Sequence, residues 1–153
     1  MYVEKNVCDS IIGTLLNIKG KTKDGINARK DLVEMSVRFE LQPQPHGKLK
    51  YLPPACHTLS KSKKISFCGC LGGVKVPQEH SSNIKSLISM EDLKLIGLKS
   101  HDCHVLMQDL LPIAIRGILP KSVRQVITRL CLFFNAICRK VICLLYTSPS
   151  PRD

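Results

Sequence analysis

The sequence lacks tryptophan, has few aromatic residues and carries about half as many acidic as basic side chains. Hydrophobic residues still make up 44% of the 153 positions, which is enough for a packed core and argues against wholesale disorder. No apolar run approaches the roughly 20 residues of a membrane span. The charged N-terminus MYVEKNVCDS does not resemble a secretory signal. We therefore expect an intracellular protein of one domain, or part of a larger one, with no membrane partner.

The shortage of acids leaves a formal net charge of +11. This balance indicates a polyanionic partner, nucleic acid before membrane, and the alternative is a basic surface that keeps the chain soluble. The best candidates for contacts with a DNA backbone are Lys19, Lys21, Lys23, Lys61, Lys63 and Lys64. For any single lysine among them, a solvated face is an equal alternative.

Hydrophobic periodicity predicts a mainly α-helical chain without internal repeats. The predicted helices cover residues 4–17, 28–35, 60–71, 84–88, a short segment after Ser89, and then 100–117 and 120–142. The predicted N-caps are Asn27, Ser60 or Ser62, Ser82 or Asn83, Ser89 and Ser100. Gly20 is the predicted stop of the first helix, and Pro112 is expected to kink or restart the sixth.

The middle of the chain is rich in proline. The stretch RFELQPQPHGKLKYLPPAC contains four prolines, so no long helix can pass through it. We expect an extended connection with a short strand at residues 48–52.

Eight cysteines, without a secretory signal, are expected to be reduced. Cys8, Cys131 and Cys138 fall in apolar segments and are predicted to be small buried hydrophobes. In GLKSHDCHVLMQDLLP two histidines lie three residues apart, so both face one side of a helix, as zinc ligands can. The favoured interpretation is a set of buried thiols beside a polar first helical turn. The alternative is a zinc site, for which the expected ligands are Cys68, Cys70, His101 and His104.

Several stretches together resemble one family. They are EKNVCDSIIGTLLNIKGKTKDGINARKDL (4–32), YLPPACHTLS (51–60), SFCGCLGGVKVP (66–77) and the run 81–142. They are similar to plant transposon proteins of the CACTA, or En/Spm, type, at the end of the transposase region and the start of the uncharacterised domain after it. The resemblance implies a nuclear DNA transposase with an RNase-H-like core, in which three carboxylates hold two divalent ions such as Mg²⁺.

The same resemblance places the catalytic acids outside this sequence. Relatives carry one aspartate before the segment that matches residues 1–6, and the late glutamate with its histidine pair is expected beyond Ile142. Glu4 is the only acid near a catalytic position, and Tyr2 stands where relatives usually have histidine. The chain is therefore expected to lie in the helical insertion of the core, with no catalytic residue or cofactor of its own other than the alternative zinc site.

The ending CLLYTSPSPRD resembles the translated read-through of a sequencing-library adapter; a disordered tail is the alternative. We expect four regions: a helical end of the transposase core (1–37), a proline-rich connection (38–60), a truncated helical domain (61–142) and this tail (143–153). The expected function is architectural and DNA-contacting within a transposition protein whose partners are transposon ends and the rest of the transposase chain. The alternative is a transposon-derived helical interaction module, zinc-stabilised and without nuclease activity.

Overall fold

The structure, a computed structural model, describes residues 2–73 and 84–146, and their side chains at 3–73 and 84–138. The prediction of a mainly helical chain is confirmed. The α-helices are α1 (Tyr2–Leu15), α2 (Ile26–Glu34), α3 (Lys61–Gly73), α4 (Ile84–Leu87), α5 (Ser100–Val105), α6 (Leu111–Ala114) and α7 (Lys121–Tyr146). The predicted caps Ser82 and Asn83 and tail residues 147–153 lie outside the described part. Helix α7 runs four residues beyond the predicted end at Ile142.

Two small antiparallel hairpins interrupt the helices. Their strands are β1 (Gln44–His46), β2 (Leu49–Tyr51), β3 (Ile88–Ser89) and β4 (Lys94–Leu95). The first hairpin contains the predicted strand, and the second replaces the helix predicted after Ser89, which was wrong. The Ser89 hydroxyl accepts a hydrogen bond from the Asp92 amide at 3.2 Å, and Leu93 has φ of 54°. The serine therefore closes a tight turn instead of capping a helix.

Helix α1 ends at Leu15, five residues before the predicted stop at Gly20. Asn17 adopts a left-handed φ of 51°, and the Ile18 amide donates to the Gly13 carbonyl at 2.8 Å. This is a Schellman C-terminus with asparagine in the position that glycine usually takes. A Cβ on Gly13 would lie 2.9 Å from the Lys21 carbonyl carbon and oxygen, so only glycine lets the following loop pack this closely on α1.

Two predicted N-caps are displaced. Helix α2 begins at Ile26 after Gly25, so Asn27 lies inside it. Helix α5 begins at Ser100 because the Asp102 carboxylate accepts from the Lys99 amide at 2.9 Å, which makes Lys99 the cap position. The Ser60 hydroxyl, by contrast, accepts from the Lys63 amide at 3.3 Å, as a cap of α3 should.

Pro112 interrupts the sixth predicted helix, as expected. Residues Leu106–Leu110 form a π-helical turn between α5 and α6, and the Leu111 amide donates to the Leu106 carbonyl. A proline ring clashes with the carbonyl four residues earlier and has no amide to donate, so the wider turn accommodates it.

The core lies where α1, the segment from α5 to α6, and α7 meet. Its members on these elements include Cys8, Ile12, Leu15, Cys103, Leu106, Met107, Leu111, Ile115, Ile127, Cys131 and Phe134. The predicted burial of Cys8 and Cys131 is confirmed, whereas Cys138 is half-buried. Met35, Val126 and Phe133 are apolar but exposed. No helix among the described residues has the length and apolarity to cross a membrane.

A buried arginine holds the proline-rich connection in place. The Arg29 guanidinium is 3% exposed and donates to both Asp24 carboxylate oxygens, at 2.6 and 2.9 Å. It also donates to the Leu41 and Pro53 carbonyls at 2.9 and 2.8 Å. These hydrogen bonds from Arg29 hold the pKa of Asp24 below its usual range. One side chain thus joins α2, the loop before it and both ends of the segment that contains the first hairpin.

We predict that Arg29→Ala lowers the free energy of unfolding by about 3 kcal/mol or more, because a partly buried carboxylate and two carbonyls lose their hydrogen-bond donor. Denaturant titration measures this. The matched control is Arg38→Ala, which removes an exposed pair with Glu40 at 3.5 Å and should cost less than about 1 kcal/mol. Equal losses in the two variants would contradict the anchoring role of Arg29.

Candidate metal centre

Three helices bring together a carboxylate, an imidazole and a thiol. Glu4 on α1, His104 on α5 and Cys138 on α7 place their ligand atoms within 4.8 Å of one another. Nδ1 of His104 lies 2.9 Å from Oε1 of Glu4, and Sγ of Cys138 lies 4.0 Å from Oε2 of Glu4 and 3.9 Å from Nδ1. Among the described residues, these three side chains form the cluster of potential ligands that could hold a metal ion.

Each member of the group follows from the pattern of its helix. Glu4 is one turn before Cys8 on the buried face of α1 and is itself 0% exposed. His104 follows the buried Cys103, and Cys138 follows the buried Cys131 by seven residues, so it lies on nearly the same face of α7. The group therefore lies at the edge of the core, and His104 gives it access to solvent with 32% of its side chain exposed.

The same region holds two further thiols, those of Cys8 and Cys103. A hydrogen bond between them and burial raise the pKa of the Cys8 thiol, and the same hydrogen bond lowers the pKa of Cys103. Burial, with a smaller contribution from the Glu4 charge, raises the pKa of Cys131 to about 11 and also raises the pKa of Cys138. Cys8, Cys131 and Cys138 are therefore neutral thiols at physiological pH when no cation is nearby, which is the unreactive form.

The chemistry of the group fits a small cation. Tetrahedral bonds of ordinary length to nitrogen, oxygen and sulfur hold ligand atoms roughly 3.3–3.6 Å apart. The observed separations of 2.9–4.0 Å bracket that range, so only small side-chain adjustments are needed. The contacts are also complete without an ion, because no buried side-chain nitrogen or oxygen in the described part lacks a partner. The amide of Gln108, 3.4 Å from Nδ1 of His104, borders the group.

The four ligands predicted from the sequence do not come together. Only His104 belongs to the group, and the other three predicted ligands, Cys68, Cys70 and His101, lie outside it. Cys68 is buried and Cys70 half-buried on α3, which packs mainly against α4 and α6, while His101 is exposed on α5. Another histidine, His57, lies outside the group and contacts Asp24 through Nε2 at 2.9 Å.

The six lysines predicted to contact DNA lie on two segments. Lys19, Lys21 and Lys23 are exposed on the loop after α1. Lys61 and Lys63 are exposed and Lys64 is half-buried in the first turn of α3. Both segments border one cavity of about 240 Å³, lined by Asn17 and Thr22 from the loop and by Lys64 from α3. Of the six lysines only Lys64 lines this cavity, and the lining also includes Asp24.

Sequence reasoning missed the metal-capable group because its members are 100 and 34 residues apart along the chain. One signal was present: Glu4 falls on the apolar stripe of α1, in register with Cys8 and Ile12. An acid at a core position requires a partner, although the sequence does not say which one. No protein-family model, curated protein or solved structure matches this chain.

We predict that His104→Ala destabilises the metal-free protein by about 2 kcal/mol or more, since Glu4 would keep its burial and lose its donor. His101→Ala, three residues away on the same helix and exposed, should change stability by less than about 0.5 kcal/mol. Thermal and denaturant unfolding in a chelating buffer provide the comparison. A His104 variant as stable as the His101 variant would show that the buried carboxylate does not depend on this contact.

Proposed function

We propose that the chain is a nucleic-acid-contacting, architectural part of a CACTA-type transposition protein, acting in the nucleus and not catalytic by itself. The observation that carries the proposal is that the lysines of both segments form no ion pair within the described residues, while Lys64 of α3 and two residues of the loop line one cavity. The sequence resemblance supplies the transposon context, and the basic surface supplies the reason to expect DNA.

The first segment presents its lysines on a fixed backbone. Amides of Lys21 and Thr22 donate to the Ile18 carbonyl, and the Lys23 amide donates to the Thr14 hydroxyl at 3.0 Å. The contact between Gly13 and Lys21 holds this loop on α1. Because the backbone is ordered, phosphate contacts from these side chains would lose less entropy than contacts from a mobile tail.

The second segment places positive charge where a helix disfavours it. Three lysines occupy the first turn of α3, and no acid accompanies them. Cations at a helix N-terminus oppose the helix dipole, typically by about 0.3–1 kcal/mol each. The sequence has no Asp or Glu from Leu41 to Gln78, and within the described residues none of the six lysines forms an ion pair. A polyanion would supply the missing negative charge.

The metal-capable group contains a single carboxylate. Two-metal nuclease sites rely on several carboxylates to hold and bridge their ions. The ligand set at Glu4, His104 and Cys138 therefore supports a structural part for this region and gives no support to an independent nuclease.

The proposal predicts salt-sensitive binding to duplex DNA that depends on the lysines. Changing Lys19, Lys21 and Lys23, or Lys61, Lys63 and Lys64, to glutamine should reduce the slope of log affinity against log salt by up to about 2.7, at about 0.9 for each contact. Fluorescence anisotropy with a labelled duplex of arbitrary sequence measures the slope. The matched control is Lys48, Lys85 and Lys99 to glutamine, an equal charge change at exposed sites elsewhere. A slope no different from the control would refute the lysine interface.

A second function, a zinc-stabilised interaction module, is favoured by the group at Glu4, His104 and Cys138. A mixed set of imidazole, thiolate and carboxylate suits Zn²⁺ better than Mg²⁺ or Ca²⁺, which prefer oxygen ligands. Three protein ligands leave a fourth position for water or another side chain. Zinc would tie α1, α5 and α7 together, and the two proposals are compatible because the lysine segments are not part of the group.

For zinc, we expect one ion per chain and a melting temperature about 5–10 °C higher when free Zn²⁺ is near 100 times its dissociation constant. Cys138→Ser should remove most of this shift. Cys70→Ser, which changes a half-buried thiol outside the group, should retain it. Calorimetric titration with zinc gives the stoichiometry. Loss of binding in the Cys70 variant, with binding retained in the Cys138 variant, would reverse the assignment of ligands.

A further inference from the structure

A second basic site lies far along the sequence from Lys19, Lys21 and Lys23, which form the lysine loop. It is a groove of about 530 Å³ between the end of α6 and the outer face of α7. Its lining residues are Pro112, Arg116, Arg124, Gln125, Thr128 and Arg129. We refer to these six residues as the arginine groove.

The charge of the arginine groove has no internal compensation. None of its lining side chains is acidic, and in the described part of the chain its three arginines form no ion pair with a carboxylate. The sequence itself contains no Asp or Glu from Leu110 to Arg152. Three guanidinium groups around one concave surface repel one another and raise the local concentration of anions. A surface built for solubility alone would normally mix charges of both signs.

The groove begins at the edge of the face of α7 that packs into the core. Arg124, Gln125, Thr128 and Arg129 are related as i, i+1, i+4 and i+5, so they form one continuous stripe. Arg124 lies seven residues before the buried Cys131 and is half-buried, so it adjoins the core face, whereas Arg129 is exposed on the side away from it. Arg116 is exposed as well, so packing does not require Arg116 or Arg129.

The donors match the chemistry of a phosphate chain. Arg124 and Arg129 are five residues apart, about 7.5 Å along the helix axis, so their guanidinium groups can contact different phosphates of one strand. Guanidinium groups bind phosphate oxygens through two parallel hydrogen bonds. Gln125 and Thr128 between them supply neutral donors that also contact phosphates.

We infer that the arginine groove binds successive phosphates of a nucleic-acid backbone. The inference builds on the proposed nucleic-acid partner and adds a contact surface that shares no residue with the lysine segments. In this arrangement α7 provides both the partner for the core, on its inner face, and a backbone contact on its outer face. Binding in the groove is expected to be independent of nucleotide sequence, because the groove contacts phosphates and not base edges.

The test compares three triple variants of the full chain: the arginine set (Arg116, Arg124 and Arg129 to glutamine), the lysine loop set (Lys19, Lys21 and Lys23) and the control set (Lys48, Lys85 and Lys99). Binding of a labelled duplex of arbitrary sequence is followed by anisotropy from about 50 to 200 mM salt. The arginine variant should bind about tenfold more weakly or worse than the control variant at equal salt, with a slope lower by up to about 2.7. Circular dichroism checks the fold, and the exposed single change Arg129→Gln, with a slope lower by about 0.9, replaces the triple variant if that does not fold.

The outcomes separate this inference from the lysine interface. If the arginine variant matches the control while the lysine variant weakens, the inference is overturned and the proposed function stands. If only the arginine variant weakens, the groove is confirmed and the lysine interface fails. If the wild-type chain binds phosphatidylserine vesicles but not DNA, the anion is a lipid headgroup, and both the groove inference and the lysine interface are overturned. Both are also overturned if the chain binds neither vesicles nor DNA.

Discussion

The contact between Glu4 and His104 is the constraint on which the helical core depends. A fully buried carboxylate is tolerated only with a hydrogen-bond donor, and the donor here comes from a helix 100 residues further along the chain. Helix α1 therefore packs stably in the core only when α5 is also in position to pair with Glu4. Cys138 brings α7 to the same point. Closing contacts of such long sequence separation carries an entropic cost, so the three helices are expected to become ordered together.

The group and the basic surfaces divide the molecule into two kinds of region. Around Glu4 the side chains are buried and mutually satisfied, with neutral thiols and a paired carboxylate. A metal ion bound there would displace the proton of the Cys138 thiol, and binding of the ion would be coupled to folding. On the surface the reverse holds, because the lysines of the two segments and the arginines of the arginine groove form no ion pair within the described residues. The first kind of region maintains the fold, and the second is available to a partner.

The sequence predicted elements that depend on local pattern and failed where distant residues decide. The stripe of α1, the long α7 and the interruption at Pro112 follow from periodicity and proline chemistry, and the structure has all three. The second hairpin was missed because a serine followed by acids suits both a tight turn and a helix cap. The metal-capable group was missed because its members come from three helices, and no spacing rule connects them. Likewise nothing local indicated that Arg29 binds the carbonyls of Leu41 and Pro53.

The π-helical turn at Leu106–Leu110 has a consequence for how the chain tolerates changes in length. A π turn holds one residue more than an α turn, so this segment already contains the equivalent of an inserted residue. Losing one residue here would leave an ordinary helical turn before Pro112, in which the proline ring clashes with the carbonyl four residues earlier. Losing one residue between Cys131 and Cys138 would rotate that thiol by about 100° away from Glu4, because α7 is regular there. The number of residues is therefore constrained at the π turn by proline geometry and within α7 by the position of a thiol.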